Sequence, residues 1–493
     1  MKKWWVLVSC FFLISKGYIF AQSYNYFIDS NEDRAVSFNK SNENYTIYLK
    51  LLKEHENVQN ELLNSADYYK KIREKNYVLS GKDISIINIS FSNRLDLLNQ
   101  SLIFPNSNLK NSKSSNLYNL VSIHLKIKAF ETFVLQQLVL GKNTKVNALI
   151  NEDNLLYRKK NNSLKKIKNS LASKRFRKSL QKAWNNSNII DFDSLESIKA
   201  KTLTHNIIET HYYQNILSNS KSNRKSKKYF KKIINKNNSF LTSVSFNYFL
   251  NNILSKFSNL VGNFLGIFAT RKGKLNNNVT FVNTSLTLLQ PLDVLLEKTP
   301  FRLTDKFIPG YWGHAAIYIG NETQLKELNI WNHPFIQKYH EEIKSGKVII
   351  EALRNRVAIN TFKKFTNIDD FAHLRLNNEP LLEKKREMIV KAFAQIGKKY
   401  DFGYNIESNR KIICSELHYL VFDQVKFKTN KVLGINSLSV DQIAGQGIKG
   451  GAFYPIDLYL DGIKVEGDKI FEIYDQLLKA RNKDIKRLKK GLY

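Results

Sequence analysis

The residue types best able to do chemistry in this chain are few, and the scarcest is cysteine: 493 residues contain two, Cys10 and Cys414. Cys10 falls in an N-terminal stretch expected to be removed, so the mature chain is expected to carry one thiol, which cannot form an internal disulfide. In an oxidising compartment a solitary thiol points either to burial or to chemistry. Cys414 sits in the run IICSELHYL at 412–420, where an extended apolar lead-in gives way to helical spacing. A cysteine at the start of a helix meets unpaired amides and the positive end of the dipole, which stabilise an anion on sulfur and supply donors close to where an oxyanion would form.

Thiolate chemistry also needs an imidazole to share the proton. His314 has the most informative setting of the nine histidines, because GHAAIYIG at 313–320 reads as a short strand with small residues at its start, open to close approach by a helix. Glu351 closes the run KVIIE at 347–351, which reads as the returning antiparallel strand. If the two strands pair, His314 and Glu351 become cross-strand neighbours and the carboxylate orients the ring. Taken singly, these residues are equally an inert buried thiol, a satisfied strand histidine and an ordinary surface carboxylate. It is the combination of all three that favours catalysis.

These residues bring out a resemblance. PLDVLL at 291–296, GHAAIYIG at 313–320, IEA at 350–352, YDF at 400–402 and CSEL at 414–417 resemble the permuted papain-like cysteine hydrolases of the NlpC type, in the YiiX/YebB-like group, over residues 286–444. The histidine precedes the cysteine, opposite to ordinary papain order. The resemblance implies Cys414 as nucleophile, His314 as general base and then acid, Glu351 as its orienting residue, and Tyr400 lining the oxyanion site. It further implies amide hydrolysis or acyl transfer through a thioester, on murein peptide or an acylated lipid. The departure is the long connection 321–346, with Trp331, His333, Pro334, Phe335, Tyr339 and His340, expected to roof the cleft. Glu416 is explained by the helix dipole, and His418 reads as structural. His333 and His340 lack the companions of a metal site, so neither metal nor cofactor is expected.

The elements that must position these residues suggest an α+β protein: a mainly helical N-terminal region, then a permuted papain-like domain with a small antiparallel sheet packed on helices. Residues 1–21 read as a signal peptide, with Lys2 and Lys3 before an apolar stretch and Ile19 and Ala21 preceding a cut at Gln22. A rival reading makes Cys10 the lipid-bearing residue of a lipoprotein box. Residues 22–285 form a helical Lys/Asn-rich region of unknown role, in which 161–238 is compatible with a solvated or a flexible segment. Within it, Phe246, Leu250, Ile253, Phe257, Leu260, Phe264 and Phe268 recur at helical spacing; the stripe fits an ordinary core helix, a membrane-facing one or one docked on the catalytic domain. Residues 286–465 are the hydrolase domain, with one helix from Pro380 to Gly397 showing Leu382, Ile389, Phe393 and Ile396 on one face, and another from Cys414 to about Phe422. Residues 466–493 are a basic C-terminal helix or tail.

Composition narrows the partners. A formal charge of +34 would draw the chain to anionic polymers, and with an export signal these are peripheral contacts with an anionic membrane or envelope polymer. No nucleic-acid motif accompanies the lysines, so nucleic acid is not expected as a partner. The expected location is the periplasm or cell envelope. The reading from another functional class is a non-catalytic envelope-binding protein whose helical half does the work, since a site resemblance does not establish turnover.

Overall fold

The computed structural model describes residues 41–74, 77–104, 113–141, 144–157, 159–160, 162–186, 203, 206–208, 210, 271–302, 310–401, 404–408, 410–432, 435–480, 485 and 489. The expected signal peptide, Cys10 and the apolar stripe from Phe246 to Phe268 lie outside the described residues, as does most of 161–238. Two compact units partition the chain, one formed by 1–71, 93–142 and 164–240, the other by 72–92, 143–163 and 241–493.

The first unit is helical where described, with Ser41–Asn64 packed along Lys113–Leu140 and the latter also against Lys174–Asn186. Its interior holds polar pairs that satisfy one another. Both ring nitrogens of His55 are used, Nδ1 with Thr132 Oγ1 at 2.9 Å and Nε2 with Ser101 Oγ at 2.8 Å, while His124 Nδ1 meets Tyr48 Oη at 2.8 Å. Burial, reinforced by the charge of Lys128, pushes both imidazoles down to about 3. They are therefore neutral, as buried histidines without a carboxylate should be.

The second unit is α+β and is built on an antiparallel seven-stranded sheet. Its strands are β1 (Val294–Lys298), β2 (His314–Tyr318), β3 (Lys347–Ala352), β4 (Val357–Thr361), β5 (Asp370–Leu376), β8 (Phe453–Leu460) and β9 (Ile463–Lys464), in spatial order β4-β3-β2-β1-β5-β8-β9. A separate pair, β6 (Asn430–Val432) and β7 (Ile435–Ser437), completes the set. Alternation along the strands places Leu295, Ala316, Tyr318, Ile349, Phe371 and Tyr459 on one face, where Phe281, Phe362 and Phe365 cover them. Phe281 is 1% exposed and its ring lies 4.6 Å from Tyr459 and 5.2 Å from Phe371, centroid to centroid. Phe281→Ala should cost about 3–5 kcal/mol, readable as a lower urea midpoint; a loss under about 1 kcal/mol would mean that this face is not the core.

The described part of this unit begins well before residue 286. Leu275 N donates to Ile368 O at 2.9 Å, and Phe281 belongs to helix Val279–Leu288. Two earlier segments also join it: Tyr419 Oη donates to Leu79 O at 2.6 Å, Lys391 Nζ to Ser85 Oγ at 3.2 Å, and Lys145 Nζ to Glu407 Oε1 at 2.8 Å. The helix expected from Pro380 to Gly397 runs Leu382–Phe393, and Leu382 is exposed instead of lying on the buried face. The buried face carries Met388, Ile389, Ala392 and Phe393 together with Lys391. That lysine's Nζ is held 2.6 Å from Asp423 Oδ2, an ion pair that makes its burial tolerable.

Candidate active site

Cys414 is the first residue of helix Cys414–Val421, after Ile413 in extended conformation (φ −94°, ψ 175°). Every residue of this helix is buried, so its start is fixed by packing on all sides. Three further side chains tie it down. Ser415 Oγ donates to Leu438 O at 2.6 Å, Ile413 N to Glu416 Oε2 at 2.9 Å, and the His418 ring lies between Cys414 O (Nδ1, 2.8 Å) and Ala316 O in β2 (Nε2, 3.3 Å). Burial, outweighing both carbonyl contacts, pushes His418 down to about 4. The ring is neutral with one proton, which it donates to one or the other of these two carbonyls. His418 thus links the cysteine helix to the strand that opens with His314.

His314 stands at the sheet end of β2 and reaches two partners. Its Nε2 is 2.8 Å from Glu351 Oε2, and Cys414 acts on the ring as well, raising its proton affinity. The pairing with Glu351 is diagonal: the register sets Glu351 opposite Ala316, two residues from His314 and on the same face. Asn360 Nδ2, on β4, donates to the other carboxylate oxygen, Oε1, at 2.7 Å, and its own Oδ1 accepts from Lys364 Nζ at 3.0 Å. A fourth charged group is Glu297, which faces His314 across β1 and β2.

Electrostatics follow from this arrangement. Burial alone would depress the His314 imidazole, but its hydrogen bonds to Cys414 and Glu351 and the charges of Cys414 and Glu297 hold it well above the ordinary histidine value. Burial would likewise raise Glu351, yet hydrogen bonding and charge from His314, with help from Asn360 and Lys364, keep it below the usual carboxylate range. Glu351→Gln removes one charge that supports the imidazolium, so the proton should leave His314 at lower pH. The expected result is a basic limb of the activity profile displaced to lower pH and kcat down about 10- to 100-fold; an unmoved limb would show that Glu351 does not act through the ring.

Tyr400 is brought alongside by a short parallel bridge, Lys399 with Lys411, in which Ile412 N donates to Lys399 O at 3.1 Å. Burial first, and then the Cys414 charge, hold its phenol well above the usual tyrosine range, so it remains an O–H donor. Tyr404 is also among the groups that feel Cys414. All four residues singled out from sequence, Cys414, His314, Glu351 and Tyr400, therefore converge on one end of the sheet.

Other expectations are corrected. Glu416 holds the helix start by accepting Ile413 N at 2.9 Å; it is 1% exposed, and burial followed by the proximity of Asp401 pushes it well above the carboxylate range. The connection 321–346 does not roof the cleft. It joins the end of β2 to the start of β3, and His314 opens β2, so the strand end it leaves from lies about 13 Å from His314 at 3.3 Å per residue. Its short helices pack instead on Leu382–Phe393, with Arg386 Nε donating to Leu328 O at 2.7 Å and the Tyr339 and Phe393 rings 6.0 Å apart. His340 stacks on Trp331 at 3.7 Å, and His333 Nδ1 accepts from Phe335 N at 3.2 Å. Among the described residues no group of three His, Cys, Asp or Glu side chains is arranged to hold a metal ion.

Sequence reasoning missed Asn360, Glu297 and Asp441. Asp441 accepts the backbone N–H groups of Tyr311 (2.7 Å) and Trp312 (2.8 Å), fixing the approach to His314. Only the polar residue at an otherwise apolar strand position hints at Asn360, and nothing local signals Asp441.

A sheet that carries an imidazole on an early strand and a later helix that opens with a cysteine define an α+β hydrolase domain of the papain-like class in permuted order. Residues 289–453 match the family model described as "Permuted papain-like amidase enzyme, YaeF/YiiX, C92 family", and this stretch is a hydrolase domain of that kind. No curated protein and no solved structure matches the chain.

Proposed function

We propose that the protein is an exported cysteine amidase that acts on the cell envelope, with Cys414 as nucleophile, His314 as base and acid, Glu351 as the residue orienting the ring, and Tyr400 as an oxyanion donor. The observation that carries this reading is the chain of contacts Glu351–His314–Cys414, with the cysteine at a helix start.

The Cys414 sulfur adds to the substrate carbonyl, forming a C–S bond and an oxyanion that accepts from amides of the first helical turn and from Tyr400 O–H. The C–N bond breaks as His314 gives its proton to the departing amine, leaving a thioester. His314 then takes a proton from water, whose oxygen attacks the thioester. The carboxylic product leaves and the sulfur is restored. Glu351 keeps Nε2 occupied throughout, so that only Nδ1 exchanges the proton.

The charge of +34 supports a polyanionic envelope setting, and the two substrate classes are murein peptides and acylated lipids. Incubating the protein, with a Cys414→Ala control, with purified murein and separately with vesicles containing N-acylated lipid separates them by the mass of what is released. Product from neither, under conditions where Cys414 is alkylated rapidly, would rule out both classes.

A further inference from the structure

The segment that leads into His314 is held by residues far downstream, some of them beyond the stretch 289–453 that matches the family. Tyr311, Trp312 and Gly313 immediately precede His314. On one side Asp441 accepts the Tyr311 and Trp312 amides at 2.7 and 2.8 Å. Gly310, at φ 105°, leaves no room for a side chain, because a Cβ there would lie 2.2 Å from Asp441 Oδ2. Gly313 N donates to Glu297 O at 2.9 Å, beside the register pair Glu297 and His314.

The other side of the segment is held by charge. Tyr311 Oη donates to Asp370 Oδ2, and Asp370 opens β5 opposite Lys298, the residue after Glu297 on β1. The Asp370 carboxylate is fully buried. Besides the Tyr311 hydroxyl it accepts Asp461 N at 2.6 Å and Lys489 Nζ, which lies 2.9 Å from Oδ1 and 2.7 Å from Oδ2. Lys489 Nζ also reaches Asp461 Oδ1 at 3.1 Å and stands 5.7 Å from the centre of the Tyr311 ring. Trp312 is buried and stacks on Tyr474 of helix Ile470–Lys479, with the ring centres 6.4 Å apart. Residues expected from sequence to be a basic C-terminal helix or tail thus meet the approach to His314 at two points.

A buried ion pair is a weak way to stabilise a fold, because taking two charges out of water is costly and apolar packing of the same volume is often as stable or more so. What the pair supplies is direction: a carboxylate held by a fixed ammonium accepts strongly from a hydroxyl and an amide in one geometry. Burial holds the Asp370 carboxyl above the ordinary aspartate value even with Lys489 beside it. Loss of the ammonium would leave the carboxyl neutral and its bond to Tyr311 weaker. The His314 ring, three residues along, must stay within reach of both Glu351 and Cys414, and a displacement of about 1 Å can cost about 100-fold in rate.

We propose that Lys489 is a positioning residue for the reaction: through Asp370 and the Tyr311 hydroxyl it fixes the segment 311–313, and with it the place of the His314 ring beside Cys414. The activated site thus depends on a residue well past the end of the family match at 453. This rests on the amidase reading, in which Cys414 and His314 are the reactive pair.

The test is the rate of Cys414 alkylation by iodoacetamide at pH 6, taken as a ratio to the rate at pH 9, in the full chain at a temperature where circular dichroism shows each variant folded. Lys489→Met keeps the stem and loses the charge, and should lower the ratio about tenfold; Lys489→Arg should restore most of it. Tyr311→Phe loses one hydroxyl and keeps the Lys489–Asp370 pair, yet should lower the ratio comparably, and the double variant no further, because both changes break one chain of contacts. In a His314→Ala background neither change should alter the rate, whereas a general loosening of the fold would alter it there as well. A ratio unmoved by Lys489→Met, a loss that Tyr311→Phe does not share, or an equal change in the His314→Ala background overturns the positioning role and leaves the amidase reading intact. Should Lys489→Met fail to fold, Tyr311→Phe decides by the same criteria. A wild-type ratio no higher than that of His314→Ala overturns the amidase reading and the positioning role with it.

Discussion

A Cys414→Ala protein is expected to fold as the wild type does and to turn over no amide substrate, with kcat lower by about 10⁴-fold or more. The reasoning begins with what the side chain does not do. Cys414 is 6% exposed and occupies the first position of a helix that is buried throughout and held by Ser415, Glu416 and His418. Alanine favours helix and removes one sulfur atom, so the structural cost is small. The chemical cost is complete, because the amide must then be attacked by water without a covalent intermediate. Residual binding should survive, making the variant a trap for intact substrate. A variant that kept a tenth of wild-type turnover would show that the thiol is a bystander.

Replacing His314 with alanine is expected to have the next largest effect, about 10³- to 10⁴-fold in kcat with little change in KM. The ring is tied to Glu351 and lies beside Phe365, so its loss is expected to act on proton transfer and not on ground-state binding. On the proposed mechanism two functions would be lost together: the proton for the departing amine and the positive charge beside sulfur. The His314 proton is held well above the ordinary histidine value in the wild type. On the proposed mechanism activity requires the imidazolium, and a decline at higher pH would mark the loss of that proton. In His314→Ala this limb should vanish. A KM raised tenfold with kcat unchanged would place His314 among the binding residues.

The site was more legible in the sequence than the scaffold around it, for a physical reason. Cys414 and His314 announce themselves locally: one by the change from extended to helical spacing, the other by small residues opening a strand. Glu351 required only the period of two, and its placement held apart from a register offset that no local pattern fixes. What escaped notice depends on contacts between distant segments. Asp441 supports the backbone before His314 from about 130 residues downstream, and Leu79 and Ser85 meet the catalytic domain across more than 300 residues. The connection 321–346 was misplaced because its aromatic content was weighed and its attachment was not. A segment joining the far ends of β2 and β3 has its position set by strand direction, whatever its composition.

The most direct test of the central claim, an activated Cys414–His314 pair, needs no substrate: the rate of Cys414 alkylation by iodoacetamide between pH 5 and 9, in the wild type and in His314→Ala. An ordinary thiol, with a pKa of about 8.5, is less than about 1% thiolate at pH 6. The account predicts labelling that stays rapid at pH 6 in the wild type and falls to the ordinary thiol profile in the variant. Slow labelling in both, rising together only toward pH 9, would contradict it and leave Cys414 a buried structural residue.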